Sequence, residues 1–473
     1  MYGDIRKQLL LGVFALAGTV AIAGASPALA ADLGGDCCAD LEERIAELEA
    51  TTARKGNRKV SLEIYGQVNE SILFWDDGEE SNAYVVTNDN SRSRIGFRGK
   101  AKINSDLEAG YRIEIGIRTA NSKRFTQLND EGDDTASDVG LDLRDSHWFL
   151  KSKTFGTASV GLQGEATDAI TESNLTQTKD FSKYSDVEDT GLGLILRSSA
   201  NGQLAASTGA GFSTLTYRRL IGDAGDQPGE GDRRHNLVKY ETPTWNGFTA
   251  STSWGEDDVW DIALRYAGEF KDFNVAAGIG YGKQRDGADT NTSCNATIAG
   301  DQQCDQFGGS LSVLHTPTGL FINAAAGIKT DDLLNETVRF AGQNADDEQE
   351  FWSLQAGIEK KFVELGKTTI YGEYYDYEGG ANARRVVTGA DPINPFANAA
   401  GIWSTNVEVY GFGIAQGLDK AATVLYLSYR HVEADLKLKE ITANTATGVA
   451  DGGIVDSPLE DLDLVQAGAI IKF

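Results

Sequence analysis

From Val60 to the C-terminus the chain alternates apolar and polar residues with a period of two, segment after segment. In VSLEIYGQVNESILF, Leu62, Ile64, Val68 and Ile72 fall on one side, and Ser61, Glu63, Gln67, Asn69 and Ser71 on the other. SRIGFRGKAKI sets Ile95, Phe97, Ala101 and Ile103 against Arg94, Arg98, Lys100 and Lys102. LEAGYRIEIGIRT sets Tyr111, Ile113, Ile115 and Ile117 against Arg112, Glu114 and Arg118. Side chains of an extended strand point alternately to its two faces, so each segment predicts a strand with one dry and one wet face.

Sixteen segments follow this rule, near 60–74, 91–103, 107–119, 143–152, 156–165, 236–242, 248–254, 259–268, 273–282, 307–315, 320–329, 350–361, 367–377, 404–416, 421–432 and 462–473. Their connections alternate as well. Every even-numbered strand ends in a short turn, such as Asn104-Ser105-Asp106 or Lys153-Thr154-Phe155. Odd-numbered strands end in long polar loops, except for the link near 255–258. A soluble sandwich needs no such alternation, and a propeller would repeat every 40–50 residues, which this chain does not. Short turns at one end and long loops at the other, with an even strand count, are how an outer-membrane barrel is built. Trp75, Trp254, Trp260, Trp352 and Trp403 stand at strand ends on the long-loop side, where an aromatic belt belongs.

The prediction is therefore all-β: a transmembrane antiparallel β-barrel of about 16 strands, with a short N-terminal helical segment. A barrel this wide encloses water. Small or polar inward positions, Ser159, Gly161 and Gln163, then Asn274, Gly278 and Gly280, then Asn323 and Gly327, are expected to leave room for it. A mean hydropathy of −0.31 excludes a multi-helix membrane protein, and a pI near 4.5 argues against nucleic acid as a partner. The net charge of −27 hints at cation preference, although selectivity follows the lumen more than the total.

The N-terminus carries an address. Arg6 and Lys7 precede the apolar run Leu9 to Ala25, and Ala28-Leu29-Ala30 follows, so residues 1–30 read as a secretory signal cleaved after Ala30 rather than an anchor helix. Residues 31–59 follow as a periplasmic segment. In it, Leu41, Ile45 and Leu48 form a helical stripe, and a basic linker from Arg54 to Lys59 closes it. That stripe reads either as a trimerising helix or as a solvated amphipathic turn or two. The barrel then spans 60–473.

The segments Val60 to Val68, Ser93 to Gly99, Asn236 to Pro243 with Trp245-Asn246-Gly247-Phe248, and the terminal Leu464 to Phe473 resemble, in that order, the trimeric general porins of Gram-negative outer membranes, of the alphaproteobacterial type. The resemblance implies a homotrimer in outer-membrane lipid and lipopolysaccharide that passes small hydrophilic solutes. It implies that Phe473 is the signal read by the barrel-assembly machinery. It also implies a constriction loop after the fifth strand, here within 166–235. In that loop Asp168, Glu172, Asp180, Asp186, Glu188 and Asp189 would face Arg94, Arg98 and Arg112 across the lumen, setting a transverse field. Each arginine could instead pair with a lumen carboxylate such as Glu114. The run 191–207 could form a further hairpin.

Cys294 and Cys304 share one external loop and are expected to form a disulfide in an oxidising compartment; the adjacent Cys37 and Cys38 read as free thiols or interchain links. Acidic runs such as Asp130-Glu131-Gly132-Asp133-Asp134 read as solvated loop surface, with no metal or cofactor assigned. The scattered histidines and the lack of GxSxG, Walker or HExxH patterns give no catalytic residues and no enzyme. The expected function is passive diffusion. The alternatives are a substrate-selective porin, for which Tyr371, Tyr375 and Tyr377 are the one hint of an aromatic ladder, or a structural envelope protein tethered through its N-terminal helix.

Overall fold

The alternation becomes strand pairing in the computed structural model, which describes residues 59–132, 139–205, 215–222, 227–231, 234–255, 259–284, 303–443 and 448–473. The strands are β1 (Glu63–Asp76), β2 (Ser81–Thr87), β3 (Arg94–Lys102), β4 (Leu107–Arg118), β5 (Gly140–Ser152), β6 (Gly156–Gly164), β7 (Arg234–Glu241), β8 (Phe248–Gly255), β9 (Trp260–Phe270) and β10 (Phe273–Gln284). They continue as β11 (Cys304–His315), β12 (Leu320–Asp331), β13 (Glu348–Val363), β14 (Gly366–Gly379), β15 (Asn382–Val387), β16 (Ala400–Leu418), β17 (Thr423–Glu440), β18 (Ile454–Ser457) and β19 (Leu462–Lys472). Sixteen of them form the wall. The short β2, β15 and β18 extend the wall on the long-loop side, where the sequence predicts only loop. No α-helix stands among the described residues. Ala30, the 31–59 segment, Cys37, Cys38 and Cys294 lie outside them.

Antiparallel pairing runs around the wall and closes between β1 and β19, with Gln67 opposite Lys472 and Asp76 opposite Asp463. The last residue completes the seam. The Phe473 N–H donates to the Gly66 carbonyl (3.0 Å), and the Gly66 N–H donates to the Phe473 carbonyl (2.9 Å). A Cβ on Gly66 would lie 2.6 Å from the Phe473 ring, so glycine is what lets that ring settle. Closure leaves no unpaired edge to face hydrocarbon. Outside, Ile64, Val68, Ile72, Ile262, Leu264, Ile279, Leu311, Ile322, Phe412 and Ile414 are exposed. So large an apolar surface is at home in lipid, not in water. Trp254, Trp260 and Trp352 join this outer face as expected.

Two tryptophans do not. Trp75 is buried and packs on Tyr84 (5.9 Å between ring centroids), and Trp403 packs edge-on to Phe340 among the loops. The reason lies in the interior. The inward positions of β13, β14, β16, β17, β19 and β1 include Phe351, Tyr375, Tyr377, Val407, Val409, Val432, Leu436, Leu462, Leu464 and Leu73. These residues form one core with Tyr184, Val187, Leu192, Leu194, Leu196, Tyr217 and Leu220 of the segment between β6 and β7. One side of the barrel is therefore filled with packed side chains, and Trp75 belongs to that core. Tyr371, Tyr375 and Tyr377 point inward but are covered by the same segment, so they form no open aromatic ladder.

Candidate pore constriction

The described parts of the connection between β6 and β7 enter the barrel because the wall offers them backbone-sized gaps and matched hydrogen bonds. A Cβ on Gly278 would lie 2.7 Å from Ile170, one on Gly280 2.6 Å from Thr167, one on Gly308 2.4 Å from the Gly229 carbonyl and one on Gly327 2.2 Å from the Pro228 carbonyl. Of the small inward positions expected to leave room for water, Gly278, Gly280 and Gly327 leave room for this loop instead. Ser310 Oγ donates to the Ile170 carbonyl (2.6 Å) and accepts from the Ser173 N–H (3.0 Å); Ser312 Oγ accepts from the Leu175 N–H (3.0 Å). At the loop's root Arg265 donates to the carbonyls of Ala166 (2.6 Å) and Asp168 (2.7 Å).

A second clamp comes from the wall itself. β2 and β3 both pair with β1, Thr87 opposite Glu70 and Arg94 opposite Gln67, so residues 88–93 stand opposite only Val68 and Asn69, four more than the ladder takes, and bulge into the lumen. Asn88 Nδ2 donates to the Phe181 carbonyl (3.1 Å), Asn90 Nδ2 donates to Thr190 Oγ1 (2.7 Å), and the Lys183 N–H donates to Asn90 Oδ1 (2.8 Å). On the other flank Arg430, 2% exposed, pairs with Glu373 (2.7 Å) and donates to the Lys183 carbonyl (2.7 Å). Sequence reasoning missed both clamps. Asn88 and Asn90 lie in a segment assigned to a loop, and nothing near Arg430 in sequence points to residue 183. The 191–207 run adds no wall strand. Its described bridges are three single ones, Arg197 to Leu204 within the run, and Ile195 to Thr216 and Ser198 to Leu459 outside it.

The acids expected on this loop separate into two groups. Asp168 and Glu172 are half-buried. Asp180 is buried and pairs with Lys472 (2.6 Å). Asp186 pairs with Lys183 (2.5 Å), and Glu188 and Asp189 with Lys123 (3.3 and 3.2 Å). These four hold the loop to itself and to its neighbours. Glu172, Asp186 and Glu230 bring carboxylate oxygens within 4.8 Å of one another, with Lys183 on Glu172 (2.8 Å) as counter-charge. Burial, then the Asp186 charge, pushes the Glu172 carboxyl up to about 8. Burial and the Glu172 charge push Glu230 up as well, while Lys183 holds Asp186 below its ordinary range against its own burial.

The expected basic side is on the wall. Arg94, Arg98 and Arg112 share an inward face, with Arg98 opposite Arg112 in the β3–β4 register. Arg98 pairs with Glu63. Glu114 takes Arg112 (2.7 Å), Arg94 (3.4 Å) and also Arg144 (3.0 Å), the last unforeseen because it sits on a bulge of β5 that turns it inward. Pairing with Glu114 and a place on the lumen thus coexist. The loop's Asp168 meets this side through Arg234, at 4.0 Å. Cys304, which opens β11, is buried.

A profile of Gram-negative porins matches residues 15–437. No curated protein matches the chain. Among solved structures it is similar to an anion-selective porin from Comamonas acidovorans (16% identity, 88% of this chain and 100% of that one, TM-score 0.49). It is similar to OmpT, an outer membrane protein of Vibrio cholerae (12%, 89% and 99%, 0.49), and to Salmonella typhi OmpF in complex with daunomycin (14%, 88% and 98%, 0.47).

Proposed function

The chain belongs to the Gram-negative porin family, and from that premise we propose how its outer-membrane channel meets a solute. The protein forms a water-filled path for passive diffusion. The path runs between the inserted loop and the basic sector of β3 to β9. Arg94, Arg98 and Arg112 form one side of the constriction, and Asp168 the other; Glu172, raised to about 8 and set against Lys183, carries little charge at neutral pH and belongs with the acids that seat the loop. Opposed charges across a narrow aqueous gap orient a dipolar solute and favour its passage end-on. Asp180, Asp186 and Glu188 serve this constriction indirectly, by keeping the loop seated.

The observation that carries the reading is a closed sixteen-strand wall, apolar outside, with charged side chains inside. Its local balance points the other way from the net charge. Arg92, Arg94, Arg98, Arg112, Arg144 and Arg234 outnumber Glu63, Glu114, Asp142, Asp145 and Asp168. We therefore expect an anion preference. Zero-current potentials in planar bilayers across a KCl gradient test it: the sign of chloride selectivity supports the reading, and potassium selectivity rejects it.

The remaining assignments extend the same reading. The assembly is a homotrimer in lipid and lipopolysaccharide. Residues 1–30 direct export and are cut after Ala30, and residues 31–59 add a helical periplasmic segment. Phe473, seated on Gly66 at the seam, offers its ring to the assembly machinery. Cys294 bonds Cys304 and stiffens an external loop. Transport requires no catalytic residue and no cofactor.

A further inference from the structure

Arg92 and Arg144 converge over a residue that has no side chain. A Cβ on Gly116 would stand 2.4 Å from Asp142 Oδ1, 2.9 Å from Arg92 Nε and 3.1 Å from Arg144 Cδ, so the glycine makes the space in which the two guanidinium arms and one carboxylate meet. Arg234 comes from β7. Its nearest carboxylates among the described residues, Asp145 and Asp168, are both 4.0 Å away. Asp145 is also shared with Arg112 (3.6 Å). The charges of Arg234, Arg92 and Arg94 all bear on Arg144.

Counter-charge is short here. Arg92 has Asp142 (2.8 Å), but Glu114 is divided among Arg94, Arg112 and Arg144. Two N–H groups, Nε of Arg92 and Nε of Arg234, are buried without an acceptor. A buried charged donor with no acceptor is costly, because its lost hydration is not replaced. The arrangement is relieved by an oxyanion, which accepts forked hydrogen bonds from several guanidinium groups at once. A tetrahedral dianion offers acceptors in three directions, matching arms from the 88–93 bulge, β5 and β7; a planar carboxylate does not. The three side chains are 8, 13 and 29% exposed, so the space opens toward the channel through Arg234.

We propose that Arg92, Arg144 and Arg234 form a binding subsite for a small tetrahedral oxyanion of the phosphate type beside the constriction. The inference rests on the channel reading and gives it a ligand class. The test is single-channel recording of the full-length protein in KCl, with inorganic phosphate added at constant ionic strength and acetate as the comparison. We expect phosphate to reduce chloride current saturably at millimolar concentration, and acetate to leave it nearly unchanged. Arg234→Gln should raise the half-blocking concentration at least tenfold, and Arg234→Lys, which keeps the charge but loses the fork, should fall between. Heat-modifiable migration in gels confirms that each variant is folded. Should a variant not fold, the wild-type contrast between phosphate and acetate decides. A conducting channel that phosphate does not block, or that acetate blocks equally, overturns the subsite and leaves the porin reading standing. A protein that forms no channel overturns the porin reading itself.

Discussion

Glu172 shows what burial does to a single carboxyl in the inserted loop. In the unfolded chain it would release its proton near 4.5, whereas in the loop it does so near 8. Between those values the folded loop binds the extra proton, so the stability it gains is full below the lower value and is lost as pH rises through the upper one. Current noise from loop motion should therefore grow from about pH 4.5 up to about pH 8 and level off above it, and Glu172→Gln should flatten that rise. An unchanged profile in the variant would show that another group sets it. At this scale the sequence was partly legible. Arg94, Arg98 and Arg112 could be placed on one inward face because strand parity is a local property. The partners of Asp180 and Asp186 could not, because acids in a loop carry no period. Lys472, which meets Asp180, is 292 residues away.

The inserted loop is the element on which throughput depends, and its seat is built from contacts remote in sequence. Asn88 reaches Tyr426, 338 positions on, and Arg430 reaches Lys183, 247 positions back. No window of the sequence shows such pairs, whereas all sixteen wall strands announced themselves by alternation. Arg430→Ala would leave Glu373 buried and unpaired, a loss of about 3–5 kcal/mol for a broken buried pair. Since Arg430 also donates to the loop backbone at Lys183 and Val187, the expected result is a barrel that still assembles and migrates as folded, with larger and noisier single-channel conductance. Unaltered conductance in a folded variant would place the loop's anchorage elsewhere, in the Asn88–Asn90 bulge. That bulge was invisible for a related reason: its four extra residues in register look, in sequence, like the tail of a loop.

At the level of the molecule, the seam between β1 and β19 makes one closed wall, and we expect three such walls to associate through their outer faces. Native mass spectrometry in mild detergent should give a mass three times that of the mature chain. Adding reductant should raise each protomer by the mass of two hydrogens if Cys294 and Cys304 are joined. A monomer mass, or no shift on reduction, rejects the corresponding assignment. Charge at this scale and charge at the constriction point in opposite directions: the whole chain is strongly acidic, whereas Arg92, Arg94, Arg98, Arg112, Arg144 and Arg234 gather beside the loop, and the zero-current potential decides between them. The glycines at 278, 280, 308 and 327 carry a final consequence. Bore is set here by atoms left out of the wall, so a single added methyl at any of them would push the inserted segment toward the axis and throttle flow without touching one charged group.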